Sequence, residues 1–313
     1  MLLLTVLVVG ANVALALALL FRHDMRWAMV AWTVALFFTP VYAMSPVLGF
    51  SVAVVDVVAI VGIVSALAWR GLAWSIVDTL MAMAFLGMGI GLLWGAVPGH
   101  VQDSVISWLI PYAWGRIIAS QITADWLALC LTVAAVAASL LAIVEFVTRT
   151  NFFVALPGSA EPMWRELQFR GGLVRAEGAF GHSIALGATL AASTAFVLVA
   201  KLHWVWKIAA FAVVATGVVV TLSRIGLVTL VLVVVLSVVF LRRQLQLAQR
   251  VGLIVAVAIG ALAAIPFVSS VLDDAGNEAQ GSAEYRADLL SLTSSMHLIG
   301  VSPAREVLPT GAD

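Results

Sequence analysis

The sequence predicts an all-α fold, a polytopic transmembrane helical bundle of about 10 spans in 313 residues. Three observations predict it. The chain is 63% hydrophobic and only 10% charged, with a mean hydropathy of +1.13. A soluble domain is about half apolar and about a quarter charged, so this chain lacks the polar surface to cover a globule in water. Apolar runs of about 20 residues, the length that crosses a bilayer core, recur along it. Short connections rich in Lys or Arg fall at alternate turns, as the positive-inside bias requires.

The opening run, MLLLTVLVVGANVALALALLFR, has no basic n-region and no small-residue cleavage site, so it reads as a retained span. Spans are expected near 2–21, 27–44, 49–69, 75–95, 104–121, 125–147, 179–200, 205–222, 225–241 and 251–270. The fifth is interrupted by Pro111 and Arg116, and a re-entrant or interfacial helix is its alternative. The eighth and ninth divide an unbroken apolar run from Ile208 to Leu241, too long for one crossing at about 1.5 Å per residue. Four regions follow: helices in 1–147, an outer loop in 148–178, motif-bearing helices in 179–270, and the start of a large outer loop in 271–313, expected to be truncated.

Arg22, Arg26, Arg70, Lys201, Lys207, Arg242, Arg243 and Arg250 share one face under this count, and that face is expected to be cytoplasmic. The N-terminus is then outside, as are residues 148–178 and 271–313. The outer face carries Arg149, Arg165, Arg170, Arg175, Arg224, Arg286 and Arg305 but no lysine. Arginine suits bidentate recognition of phosphate or carboxylate. The plainer alternative is pairing with nearby acids such as Glu161 and Glu166. Within the loops, residues 159–170 and 282–298 read as short amphipathic helices, the second with Tyr285, Leu289, Leu292 and Met296 in one stripe. They either cap a site at the membrane surface or pack onto the spans. Gly87, Gly91 and Gly95 read as a helix-packing stripe. Asp56 is an intramembrane acid and a functional candidate, whereas Asp78 reads as solvated near the cytoplasmic interface.

Several chemistries find no motif. The sequence has no GxxxxGK[ST] loop, no paired histidines on one helix face and no G-x-S-x-G elbow. No metal and no cofactor is expected. The lone Cys130 permits no internal disulfide, and zero net charge implies no nucleic-acid partner. What remains is one constellation. In RAEGAFGHSIALG, residues 175–187, Gly178 and Gly181 let the backbone turn into the seventh span. A helix N-terminus facing outward is an anion site, with free N–H groups and the positive end of the dipole. Arg175 stands before it, and Arg224 lies at the outer turn in TLSRIG. Two arginines and a helix N-terminus at one depth suit a diphosphate. Glu177 and His182 flank the spot, and either accepts a proton. The commoner role for a histidine such as His182 is a local hydrogen bond at a helix end.

RAEGAFGHSIALG resembles the R-x-x-G-x-F-x-H-P-x-x-L-G segment of the O-antigen ligase and Wzy-type polymerase superfamily. TLSRIGLVTL resembles that family's Ser-Arg turn, and SAEYRADLLSLTSSMHLIGVSP its later arginine-bearing helix. The segments come in the family's order and span roughly 125 to 303. Ser183 stands where the family often has proline, and His297 falls outside the family's histidine motif. The resemblance implies a multi-pass glycosyltransferase of the bacterial cytoplasmic (inner) membrane. Its donor is an undecaprenyl-diphosphate-linked glycan, and its acceptor is a glycan or lipid-linked sugar at the outer face. Arg175 and Arg224, with Arg286 as a third candidate, would hold the diphosphate. The family's usual base is a histidine of the large outer loop; in this sequence Glu177 and His182, which flank the spot, are the candidates to take its place. The alternatives are a transporter or permease, in which Asp56, the Pro111–Arg116 helix and the glycine repeat would be the features that matter, and a non-catalytic truncated relative.

Overall fold

In a computed structural model of the chain, the described residues are 2–47, 50–66, 73–93, 98–154, 166–170 and 172–241, with isolated positions at Gly252, Ala287 and Leu290. The span expected at 251–270, the 282–298 stripe, Arg286 and most of the 159–170 segment lie outside them. The described chain is mostly helical. In order it forms α1 (Leu2–His23), α2 (Met25–Phe38), β1 (Met44–Val47), β2 (Phe50–Ala53), α3 (Val54–Ala66), α4 (Ile76–Leu93), α5 (Pro98–Ser104), α6 (Ile110–Gln121) and α7 (Ala124–Thr148). There follow β3 (Phe169–Arg170), β4 (Leu173–Val174), α8 (Ser183–Val199), α9 (Trp204–Val220) and α10 (Arg224–Phe240).

The all-α expectation holds apart from two small antiparallel hairpins, β1–β2 and β3–β4. The first takes over the expected start of the third span, so α3 has 13 residues. Among the described residues, two helices, α4 with 18 residues and α7 with 25, are long and apolar enough to cross a membrane by length and composition. Apolar but shorter are α8, α9 and α10 with 17 residues each, and α2 with 14. The expected count of about ten is therefore not reached by this measure. Caps mark where three helices begin: Asp24 accepts the Arg26 N–H before α2, Thr123 the Trp126 N–H before α7, and Ser223 the Gly226 N–H before α10. An N-cap side chain fixes the first turn by satisfying an otherwise orphaned donor.

The expected fifth span is helical from Pro98 to Gln121, with a π-helical turn at Val105–Leu109. Pro111 has no N–H, and its ring would crowd the carbonyl four residues back. The wider turn, closed by Ile110 N–H on the Val105 carbonyl, makes room for it. Arg116 does not break the helix. Its Nε and Nη2 each lie 2.9 Å from an Asp78 carboxylate oxygen, and Asp78 also accepts the Tyr112 hydroxyl. Asp78 is thus a tie between α4 and α6 rather than a freely solvated acid.

The helices alternate in direction, and their polar contacts sort to two ends. At one end lie the Asp78–Arg116 pair, the Lys201–Asp125 pair at 2.7 Å, and Arg26 over the Trp126 ring at 5.5 Å. At the other end lie the α9–α10 turn, the start of α8 and the end of α7. Along α7 the buried face is built largely from small residues. Ala128, Ala134, Ala135, Ala138, Ser139 and Ala142 are buried along α7. Gly217 of α9 sits so close to Ser139 that an added Cβ would fall 2.5 Å from its Oγ. Small residues at a crossing let two backbones approach. The expected packing at Gly87 is absent: no described atom comes within 4 Å of a Cβ built there. Asp56 accepts the Ala53 N–H at 3.0 Å and holds the start of α3.

Candidate functional site

The site is built on the segment from Gln168 to His182, which the helices α7, α8 and α9 grip at one end of the bundle. Its turn needs glycine: φ is +55° at Gly178 and +61° at Gly181, values that favour glycine over any side-chain-bearing residue. Between them Gly178–Phe180 forms one 3-10 turn, closed by Phe180 N–H on the Glu177 carbonyl. Phe180 meets Phe37 of α2 edge-on, with ring centroids 6.0 Å apart. The Ala179 carbonyl accepts the Val41 N–H at 2.9 Å. The two glycines thus do what the sequence asked of them.

The anion site expected at this backbone is already filled, by a residue of the chain itself. Glu145, one turn from the end of α7 and 2% exposed, reaches across to the turn. Its Oε2 accepts the Gly178 N–H at 2.9 Å, and its Oε1 accepts the Glu177 N–H at 3.1 Å. Asn151 completes the grip, donating Nδ2 to Glu145 Oε1 at 3.0 Å and to the Gly178 carbonyl at 3.1 Å. The start of α8 carries a side-chain cap. The helix begins at Ser183, not at 179, and His182 accepts the Ile184 N–H on Nδ1 at 3.2 Å. That bond needs the Nδ1 lone pair, so the imidazole is neutral with its proton on Nε2. His182 is therefore the local helix cap that its plainer reading describes. A diphosphate cannot use the Gly178 N–H without displacing Glu145.

The arginines lie beside this filled nest. Arg175 is 9% exposed and donates Nε to the Thr221 carbonyl at 3.4 Å. Arg170, half-buried, donates Nη1 to the Leu222 carbonyl at 2.7 Å. Between them the Ala176 N–H meets the Val220 carbonyl at 3.2 Å. The last carbonyls of a helix carry its partial negative charge, and guanidinium groups complement it. Arg170 and Arg175 therefore fix the 168–182 segment to the end of α9. Leu222, with φ +50°, turns the chain over, and Ser223 caps α10. Arg224 is the first residue of α10 and is exposed. It stands three residues beyond the carbonyl that Arg175 holds.

A second contact joins the two motif segments. Gly187, the last residue of RAEGAFGHSIALG, lies against Gly226 in TLSRIG. A Cβ added to Gly226 would fall 3.1 Å from the Gly187 Cα, and one on Gly187 would fall 2.8 Å from the Thr221 hydroxyl. Backbone meets backbone where α8 crosses α10, and this fixes the height of the Ser223–Arg224 turn.

Glu177 is 2% exposed, and its Oε1 accepts the Gln168 N–H at 2.9 Å. Burial pushes its carboxyl up to about 7 from 4.5. The Gln168 N–H opposes the rise, the nearby Glu145 adds to it, and the Arg175 charge opposes it. A carboxyl poised near neutrality holds or releases a proton with little driving force, as a general base requires. Ser183 donates to Gln168 Oε1 at 3.2 Å, which ties the start of α8 to the same segment.

Of the residues expected from sequence, Arg175, Glu177, Gly178, Gly181 and His182 share this segment, and Arg224 stands on the turn docked against it. Arg286 lies outside the described residues. Glu145, Asn151 and Gln168 were missed as site members. An acid at the end of a long apolar helix, in VEFVTRTN, is the signal that points to Glu145. Nothing in their spacing marks Asn151 or Gln168. No family model, curated protein or solved structure matches the chain.

Proposed function

We propose that the chain is a multi-pass protein of the bacterial cytoplasmic membrane that transfers a glycan from undecaprenyl diphosphate to a sugar acceptor at the outer face. The observation that carries the reading is the docking of RAEGAFGHSIALG onto TLSRIG, which brings together the two segments of the ligase and polymerase resemblance through Arg175–Thr221 and Gly187–Gly226.

The membrane setting is supported by the apolar outer face of the helices, where large hydrophobic side chains stand exposed. Ile76, Leu93 and Phe240 are 78%, 82% and 76% exposed. Lipid, not water, suits such a surface. A 17-residue helix is about 26 Å long, close to a hydrocarbon core of about 30 Å, so α8, α9 and α10 stand at the lower edge of spanning length. An apolar cavity of about 540 Å³, lined by Trp32, Leu36, Trp114, Leu131 and Phe196 among others, suits the isoprenoid chain of the donor.

The chemistry follows from the site. The acceptor hydroxyl oxygen forms a bond to the anomeric carbon of the donor sugar. The bond from that carbon to the diphosphate oxygen breaks, and undecaprenyl diphosphate leaves with the electron pair. Negative charge grows on the leaving group, and Arg224, with Arg175 behind it, stabilises it electrostatically. The proton of the acceptor hydroxyl passes to a base, a role this reading gives to Glu177, whose carboxyl sits at about 7. Arg286 is the third expected arginine. A transporter would rest on Asp56, which instead holds the start of α3.

Arg175→Ala and Arg224→Ala, expressed in cells and quantified in the membrane fraction, should each lose glycan transfer while the protein is retained. Full transfer by both variants overturns the proposal. Accumulation of long chains on the carrier would identify a ligase, and of single repeat units a polymerase.

A further inference from the structure

Glu145 stands outside the resemblance motifs, yet it holds the centre of the site. An ionisable side chain buried in an apolar helix is costly to keep and is retained where it has a partner or a task. Its partners are two backbone N–H groups and one amide, all converging on a single turn. Oε1 takes the Glu177 N–H and Asn151 Nδ2, and Oε2 takes the Gly178 N–H. Asn151 also donates to the Gly178 carbonyl, so both peptide groups flanking Glu177 and Gly178 are gripped from one side. Successive N–H groups in such a turn form a concave cradle that binds anions. In this protein the cradle's anion is the Glu145 carboxylate.

We propose that Glu145 is a positioning residue of the donor site: its carboxylate fills the backbone cradle at Glu177–Gly178, which fixes Arg175 and Glu177 in place and leaves the arginine side chains, rather than the backbone, to read the lipid diphosphate. This rests on the lipid-diphosphate reading above. The geometry that supports it is the short path from the clamp to the arginine. Arg175 is two residues before Glu177, and Ala176 between them is pinned to Val220 at 3.2 Å. The segment is therefore held from α7 by Glu145 and from α9 by Arg175 and Ala176. Release of the α7 side leaves two buried N–H groups unmet, and the segment must shift to find other acceptors.

The test is direct binding of farnesyl diphosphate to the purified full-length chain in detergent micelles, by calorimetric titration that reads Kd and stoichiometry separately. Glu145→Gln keeps the shape but offers one carbonyl oxygen where two carboxylate oxygens served, so one backbone N–H faces an amide NH2. Glu145→Asp keeps the charge, withdraws it by one methylene, and serves if the glutamine variant does not fold. Wild type should bind. The Glu145→Gln variant should bind about tenfold more weakly or worse at unchanged stoichiometry, the cost of one unmade hydrogen bond to a charged group. Farnesol binding, which reads the chain without the diphosphate, should not move. A merely structural role would lower the stoichiometry and leave Kd alone, and that result overturns the proposal. So does an unchanged Kd at full stoichiometry in a folded variant, with the lipid-diphosphate reading intact. Absence of binding by wild type overturns the lipid-diphosphate reading itself, and the role of Glu145 within it.

Discussion

Glu177→Gln should make the protein more stable, by an amount that grows as pH rises from 4.5 to 7 and is constant above it. The Glu177 side chain is 2% exposed and its carboxyl sits at about 7 in the folded protein against 4.5 in the open chain. Between those values the folded state binds more proton than the unfolded state, so folding stability falls as pH rises through that window. Below 4.5 both states hold the proton and the group contributes nothing. Above 7 both states are ionised, and the folded protein carries a buried carboxylate at a cost of about 3.5 kcal/mol, at about 1.4 kcal/mol per pKa unit. Glutamine does not ionise, and its Oε1 still accepts the Gln168 N–H. The variant should therefore melt several degrees above wild type at pH 8, and the gap should close as the pH falls to 5. Thermal unfolding in detergent, followed by tryptophan fluorescence across that range, gives the comparison. An equal gap at both pH values would show that the substitution acts through packing, and would refute the assignment of a neutral-pH carboxyl to Glu177.

Two other changes probe the frame around the site. Gly226→Ala places a Cβ 3.1 Å from the Gly187 backbone, and two helices, not a flexible side chain, must give way. It should cost roughly 1–3 kcal/mol, read as a lower melting temperature, because overpacking forces backbone shifts. It should also impair the turn that carries Arg224, so diphosphate binding should weaken with it. At the opposite end, Asp78→Asn and Arg116→Ala should each lower the melting temperature, and the double variant should be no less stable than the worse single one, because both remove the same tie between α4 and α6.

Much of the frame can be read from the residues. The division of Ile208–Leu241 into two helices needs only its length, and the turn falls at Thr221–Ser223 beside Arg224, where the only charge in that run stands. The basic residues Arg26 and Lys201 lie near the starts of α2 and α7 and the end of α8, where they contact Trp126 and Asp125. Helix lengths were harder, because a hydropathy run does not stop where a helix stops. Residues 44–53 are as apolar as their neighbours, yet pair as a hairpin. The segment was legible in its glycines, which adopt positive φ, and in its arginines, which stand out in so apolar a chain. It was not legible in what satisfies them. Nothing local says that the Gly178 N–H would be taken by Glu145, 33 residues earlier, or that Arg175 would dock on a carbonyl 46 residues later. These contacts depend on how α7, α8 and α9 pack, and that depends on small residues such as Ser139 and Gly217, which carry no chemical signature of their own.

The central claim is that this end of the bundle transfers a glycan from a lipid diphosphate. The direct measurement is transfer by the purified full-length chain in liposomes, supplied with a glycan on undecaprenyl diphosphate and a sugar acceptor. The account predicts one undecaprenyl diphosphate released for each glycosidic bond formed, and neither product with Arg224→Ala. Donor that stays intact with the folded wild-type protein, or transfer that proceeds equally with Arg224→Ala, would contradict it.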